Sequence, residues 1–222
     1  MKTVAFVPIR LNSKRVEGKN LRMLAGKPLL QYILYTLTQV ANIDEVYCFC
    51  SAPEVRNFLP QGVKWMQREL SLDSDSTLGK DIYNSFVGKV DADVYVLAHA
   101  TSPFIKASTI AAAVGKVQSG EYDSAFSAER IQTFAWFGGR PLNYDLKHVP
   151  RTQDIEPVFV ETSAFYVFGR EVWTRLGQRI GQHPFVSVVD RIEGVDIDWP
   201  EDFDFAERIV TMRGMKVMND EC

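Results

Sequence analysis

The chain has 222 residues, 46% hydrophobic and 24% charged, with 25 basic side chains against 28 acidic ones, a net charge of −3 and a pI of about 5.7. That is enough for one sizeable core and short for two domains, so a single domain over 1–222 is expected, and the charge balance gives no reason to expect nucleic acid or an anionic membrane as partner. No apolar run nears the roughly 20 residues that span a bilayer. Arg10 ends the opening run too early for a secretion signal, and Cys48, Cys50 and Cys222 lack framework spacing, which fits a reducing cytoplasm.

Short β-rich runs alternate with longer helical segments, the pattern of βαβ units. Residues 3–9 read as a buried strand, followed by a polar loop from Arg10 to Gly26. Pro28 opens a helix with Leu29, Leu30, Ile33, Leu34 and Leu37 at helical spacing. Strands are expected at 45–50, with Cys48 and Cys50 on one face, and at 63–66; a helix follows over 77–89 with Ile82 and Phe86 inward. Residues 93–98 form another buried strand, running into the turn His99-Ala100-Thr101-Ser102-Pro103 and a helix marked by Ile110, Ala113, Val114 and Val117. From about 124 to 168, short strands, Gly138-Gly139, Pro141 and Pro150 predict antiparallel strands inserted into an otherwise parallel α/β sheet. Pro200 opens the last helix, with Phe203, Ala206, Ile209 and Val210 as its apolar stripe. Ligands of open α/β sheets bind beyond the carboxyl ends of the strands, so the loops opening at Arg10, His99 and Val195 come first for chemistry.

The first loop carries Arg10, Lys14, Arg15, Lys19 and Arg22 against one acid. Forked guanidinium donors and lysine point charges suit a polyphosphate, though composition alone also allows a solvated basic loop. The glycines of the P-loop and of the dinucleotide fingerprint are missing, which sets a redox Rossmann enzyme aside. Near the other end, Asp196 and Asp198 stand two apart, so in an extended segment both carboxylates face one way. Two hard oxygen donors suit Mg²⁺ when phosphates complete its shell. The same pair also reads as solvated acids, or with Asp198 as an anion at the N-terminus of the helix opened by Pro200.

Pro8-x-Arg10-x-x-Ser13-Lys14-Arg15-x-x-x-Lys19-Asn20, followed by Gly26-Lys27-Pro28-Leu29, resembles the signature of CMP-sugar-acid synthetases. Asp196-Ile197-Asp198-x-Pro200-Glu201-Asp202-Phe203 is similar to that family's metal-binding segment, with Glu201 and Asp202 assigned to the helix start. The resemblance implies a Rossmann-like nucleotidyltransferase fold and transfer of CMP from CTP to a nonulosonate-like sugar acid, with Mg²⁺ held by Asp196 and Asp198. It gives catalytic roles to Arg10, Lys19 and Asp198, and nucleotide contacts to Arg10, Asn12, Ser13, Lys14, Arg15, Lys19 and Asn20. Residues 67–77, with Arg68 and Ser74, are similar to a stretch that closes over the base. Relatives of this kind pair through the inserted strands, which implies a homodimer; Phe126, Phe134, Trp136, Phe137 and Tyr144 either form that interface or pack on their own sheet.

The middle motifs depart from the family. Thr101-Ser102-Pro103 match its Thr-Ser-Pro, but His99 stands where Gln usually contacts the sugar. His99 either holds or deprotonates the acceptor, or is a hydrogen-bonded residue at a strand end. Arg151-Thr152-Gln153-Asp154 resembles a segment beside the sugar pocket, and Thr162-Ser163 after Glu161 replace the usual Asn-Gly. The resemblance places His99, Thr101, Ser102, Arg151, Gln153 and Glu161 at the sugar; Arg151 and Glu161 also read as a strand-to-strand ion pair. Cys50-Ser51-Ala52 replace the usual Ser-Thr-Asp and supply no carboxylate. The nucleotide and metal elements persist while the sugar-facing ones diverge, which implies the same reaction on a different acceptor. A sugar-phosphate nucleotidyltransferase using UTP or GTP would carry a glycine-rich loop. A non-catalytic nucleotide-binding protein would be expected to lose ligands that are all present here.

Overall fold

Strand β1 (Thr3–Ile9) alternates so that Ala5, Val7 and Ile9 face one side of the sheet and Val4 and Phe6 the other, all fully buried. A strand apolar on both faces must be covered on both, and the elements that follow do this. In the computed structural model, which describes residues 1–212, the chain continues through the hairpin of β2 (Met23–Leu24) and β3 (Lys27–Pro28), α1 (Leu29–Thr38), β4 (Glu45–Cys50), β5 (Val63–Gln67), α2 (Gly79–Lys89), β6 (Val94–Ala98) and α3 (Ala107–Gln118). Then come β7 (Ser124–Ile131), the hairpin of β8 (Trp136–Phe137) and β9 (Arg140–Pro141), β10 (Val158–Gly169), α4 (Arg170–Leu176), β11 (Pro184–Val189) and α5 (Pro200–Met212).

Seven strands form one sheet in the order β11-β7-β10-β6-β1-β4-β5. The α1 and α3 side packs Leu30, Ile33, Leu37, Ile110 and Val114 on Val7, Cys48, Cys50 and Val96. Cys48 and Cys50 do share a face, and burial pushes both thiols up, so they are apolar filler rather than reactive groups. The other side is aromatic: Phe6 stacks on Phe86 at 4.1 Å, and Tyr83, Tyr95, Phe168 and Trp173 complete the layer. A third cluster seats Phe203, Ala206, Ile209 and Val210 of α5 against Leu24, Leu29 and Ile197. The β2–β3 turn, Ala25-Gly26, has φ of 46° and 90° at its two central positions, the type I′ geometry that matches strand twist and that glycine adopts without cost.

The mostly parallel α/β sheet is as expected, and the 124–168 region refines the expectation. The expected insertion is there, with β7 and β10 inside the sheet, but among the sheet's described strands β10 alone runs antiparallel, to β6 on one side and β7 on the other. The chain leaves β7 and returns along it without a helical crossover, so the return strand has to reverse. Only the β8–β9 hairpin and the turns around it stand apart. Helix α4 and edge strand β11 have no counterpart among the predicted elements; both are short and follow no long apolar period. Cys222 lies outside the described residues.

Candidate functional site

The loop after β1 and the segment after β5 that carries Asp73 and Asp75 build a basic concavity. Gly18, at φ 60°, starts a 3-10 turn over Lys19–Leu21, and its carbonyl accepts from the N–H groups of Leu21 and Arg22, both at 2.9 Å. The turn drives Lys19 inward, to 12% side-chain exposure, where Nζ donates to the Ile197 carbonyl at 2.9 Å and to Asp198 Oδ1 at 3.1 Å. Arg15 reaches the other oxygen of the same carboxylate at 2.7 Å, its guanidinium 5.0 Å over the Trp199 ring. Asn20 donates to the Arg10 carbonyl at 2.8 Å, fixing the loop against its own start. Arg10 and Lys14 converge on Asp75, at 3.2 and 2.5 Å. Between them lies a cavity of about 330 Å³ lined by Arg10, Asn12, Ser13, Lys14, Gly18 and Asp75.

Two regions far apart in sequence therefore meet, with Lys19 and Asp198 separated by 179 residues: the loop after β1 and the segment before α5. Ile197 N–H donates to the Thr101 carbonyl at 2.8 Å, docking the acidic segment on the turn after β6. Asp198 does not cap α5. Asp202 does, its Oδ2 accepting from the N–H groups of Asp198 at 2.8 Å and Trp199 at 2.7 Å, which leaves the Asp198 carboxylate for Lys19 and Arg15. Burial would raise the Asp198 carboxyl, but the Lys19 hydrogen bond and the Lys19 and Arg15 charges overcome it and hold it below the usual range. Asp196 goes the other way: burial and the nearby Asp198 charge raise it against a hydrogen bond from the Thr101 hydroxyl.

Asp196 Oδ1 is buried with no hydrogen-bond partner. A buried carboxylate oxygen without a donor is costly unless something cationic meets it, and a second carboxylate beside it is the donor set of a hard divalent ion. Among the described residues no group of three or more His, Cys, Asp or Glu is placed to hold a metal. Two carboxylates suffice only for a cation that also takes oxygens from phosphate and water.

A second cluster lies at the end of β6. His99 Nδ1 is 2.5 Å from the Ser163 carbonyl; since a carbonyl only accepts, Nδ1 carries the proton and Nε2 keeps its lone pair. Burial lowers the imidazole, the Ser163 bond opposing and the Arg179 charge adding, so the ring is neutral at neutral pH. Ser163 holds a left-handed φ of 59° at the irregularity in β10 between Glu161 and Tyr166, and Ala164 carbonyl accepts the His99 N–H at 3.1 Å. Tyr166 donates to Glu161 at 2.6 Å, and burial, then that bond, push the phenol up to about 12.

The remaining expected residues are placed differently. Arg68 is 2% exposed and spent on Asp73, which also accepts from the Ser51 hydroxyl; Asp73 thus brings to the end of β4 the carboxylate that 50–52 lack. Ser74 caps this turn through Ser76. Thr101 serves the acidic segment through Asp196, while Ser102 is 1% exposed and its hydroxyl is buried without a hydrogen-bond partner. Arg151 pairs with Asp154 at 2.8 Å rather than with Glu161, whose partners are Tyr166 and, at 3.8 Å, Arg179. Gln153 is exposed in the same turn as Arg151. Asp73 and Arg179 carry no local sequence signal of their own; their contacts join segments of ordinary polar composition.

A sequence profile of the family described as Cytidylyltransferase matches residues 4–220. The chain is 27% identical over 210 residues to the N-acylneuraminate cytidylyltransferase of Oncorhynchus mykiss, covering 88% of this chain and 48% of that protein. It is 26% identical to the CMP-N,N'-diacetyllegionaminic acid synthase of Legionella pneumophila, covering 96% and 97%. The chain spans about half the length of the N-acylneuraminate cytidylyltransferases it matches. Its fold superposes on a CMP:2-keto-3-deoxy-manno-octonic acid synthetase complexed with CTP at a TM-score of 0.71 and 18% identity, covering 96% of this chain and 100% of that one. It superposes on the 4-diphosphocytidyl-2C-methyl-D-erythritol synthase of Anaerococcus prevotii at 0.67 and 11%, covering 95% and 96%; these two likenesses are of fold.

Proposed function

Since this chain belongs to the cytidylyltransferase family, we propose that it transfers CMP from CTP to a hydroxyl of a sugar acid and releases pyrophosphate. One observation carries the reading: Lys19 and Arg15, from the loop after β1, meet Asp198 in the segment that also holds the unpartnered Asp196 oxygen. Cations for a triphosphate and carboxylates for its counter-ion stand side by side. The named relatives on both sides of the sialic and legionaminic chemistry support a sugar acid as acceptor.

In this reading Arg10, Lys14, Arg15 and Lys19 exchange their present carboxylate partners for phosphate oxygens, and Asn12 and Ser13 line the same cavity. Asp196 and Asp198 would hold a divalent ion, Mg²⁺ by its preference for oxygen ligands, which when bound neutralises triphosphate charge. The acceptor oxygen forms a bond to the α-phosphorus as the bond to the pyrophosphate oxygen breaks, and Lys19 and Arg10 offset the negative charge gathering on the leaving group. His99, whose Nε2 is left unprotonated by the Nδ1 bond to Ser163, would take the acceptor proton.

We propose also that the protein is a homodimer. Trp136 and Phe137 are 56% and 72% exposed, with Leu142, Leu146, Phe159 and Val160 exposed beyond them, while Phe134 packs on Tyr144 at 4.6 Å within its own hairpin region. Such apolar exposure is covered most simply by its symmetric copy. Among the described residues no helix is long and apolar enough to cross a membrane.

The test is pyrophosphate release from CTP and Mg²⁺ across N-acetylneuraminate, N,N'-diacetyllegionaminate and 3-deoxy-manno-octulosonate, with UTP and GTP as controls. CTP-specific turnover with one of these acids is expected. A preference for UTP or GTP, or CTP binding absent by calorimetry, would contradict it.

A further inference from the structure

A second cavity, of about 400 Å³, opens between the start of α2 and the turn after α4, lined by Lys80, Tyr83, Trp173, Gly177, Gln178 and Arg179. The segment 73–80 walls both cavities: Asp73 and Asp75 face the basic loop, Gly79 and Lys80 face this one. The size suits a single sugar.

Arg179 is held in place on three sides. Its guanidinium lies 3.8 Å over the Tyr166 ring, Nη1 donates to the Tyr83 hydroxyl at 3.4 Å, and Nη2 is 3.8 Å from the Glu161 carboxylate. That same Glu161 oxygen accepts the short bond from Tyr166, so Arg179 is oriented by neighbours without a close bidentate partner of its own. Its side chain remains 35% exposed. Lys80 lies against Gly177, where a Cβ would come within 2.9 Å of Nζ, and among the described residues it makes no ion pair. Two cations against one committed carboxylate leave a net positive charge. The walls are Tyr83 and Trp173, edge to face at 6.1 Å, an apolar flank for a sugar ring, and Gln178 adds an amide able to meet hydroxyls.

With Arg179 and Lys80 in its lining, the cavity is suited to an anion. Phosphate oxygens already have the loop after β1, and the other anion in the proposed reaction is the acceptor's carboxylate. We propose that Arg179, assisted by Lys80, binds the acceptor's carboxylate and thereby selects sugar acids over neutral sugars. The inference rests on the nucleotidyl-transfer reading above. A planar guanidinium pre-set on an aromatic face is suited to bidentate carboxylate recognition, and the Tyr166–Glu161 pair joins this cavity to the His99 cluster.

Arg179→Met, Lys80→Met and, as a charge-keeping control, Arg179→Lys are assayed by pyrophosphate release with whichever of the three acids above wild type uses best, and with the carboxamide of that acid. CTP affinity is followed by calorimetry. Arg179→Met is expected to raise KM for the acid by about 10- to 100-fold, the size of a lost charge-assisted bond, and to erase the preference for acid over carboxamide while CTP affinity stays within about twofold. Lys80→Met shifts KM in the same direction by less, and Arg179→Lys recovers part of the discrimination. Undiminished acid preference in Arg179→Met, or a matching loss of CTP affinity, overturns this inference while CTP-dependent turnover by wild type stands. Wild type that binds no CTP overturns the nucleotidyl-transfer reading and this inference with it.

Discussion

Asp202 is the joint between stability and chemistry, because one of its oxygens receives both N–H groups that precede α5 and so sets where Asp198 points. Changing Asp202 to Ala removes two charge-assisted bonds at 2.7 and 2.8 Å and an anion from the positive end of a 13-residue helix. Loss of such a cap costs about 1–2 kcal/mol. Phe203, Ala206, Ile209 and Val210 stay packed, so the helix remains and only its first turn loosens. For a chain of this size about 1.5 kcal/mol lowers Tm by roughly 3–6 °C. Displacement of Asp198 by a fraction of an ångström to about 1 Å is expected to cost about 10- to 100-fold in pyrophosphate release. Asp202→Asn keeps one acceptor without the charge and falls between wild type and Ala in both respects. Calorimetric melting and the pyrophosphate assay are run on the same preparations. A normal Tm in Asp202→Ala, or the expected Tm loss with full activity, would refute the coupling between this cap and Asp198.

Three further outcomes are expected. Ala25→Asn places a residue tolerant of left-handed backbone at φ 46° in the β2–β3 turn and should stabilise by about 0.5–1 kcal/mol in denaturant melts; destabilisation would mean that the turn is not type I′. Asp75→Asn frees Arg10 and Lys14 from an exposed competing carboxylate, so CTP should bind a few-fold more tightly at low salt with the gain fading as salt rises, and weaker binding would show that Asp75 organises the loop instead. The Lys64 hydrogen bond, with Lys2 and Tyr47, lowers Glu45 from 4.5 to about 2. Folding therefore favours its charged form, a stabilisation complete above pH 4.5 and lost as pH falls toward 2, and the Tm gap between wild type and Glu45→Gln should close over that window; a gap unchanged with pH would contradict it.

What the sequence made legible was mostly local or periodic. The strand 3–9, the helix after Pro28, the Cys48 and Cys50 face and the α5 stripe all follow from alternation, helical spacing and proline position, and each is found where those rules put it. The basic loop and the acid pair were legible as chemistry, and the fold supplies what spacing could not, the meeting of Lys19 with Asp198. Antiparallel pairing within 124–168 was legible, but not that β10 alone is the reversed strand of the sheet, because that depends on which strands β10 lies between. Asp202 was placed at the helix start by its motif, but its two backbone bonds, which release Asp198 from capping, depend on the path of the chain before Pro200. Asp73 and Arg179 escaped notice because each acts through a tertiary contact, Asp73 beneath β4 and Arg179 on Tyr166.

Calorimetric titration of CTP with and without Mg²⁺, on wild type and Asp198→Asn, reaches the central claim most directly. Tight binding to wild type that needs Mg²⁺, and loss of the Mg²⁺ dependence in Asp198→Asn, is the expected result. Equal CTP binding by both proteins regardless of Mg²⁺ would contradict a nucleotide held between the loop after β1 and the acid pair before α5.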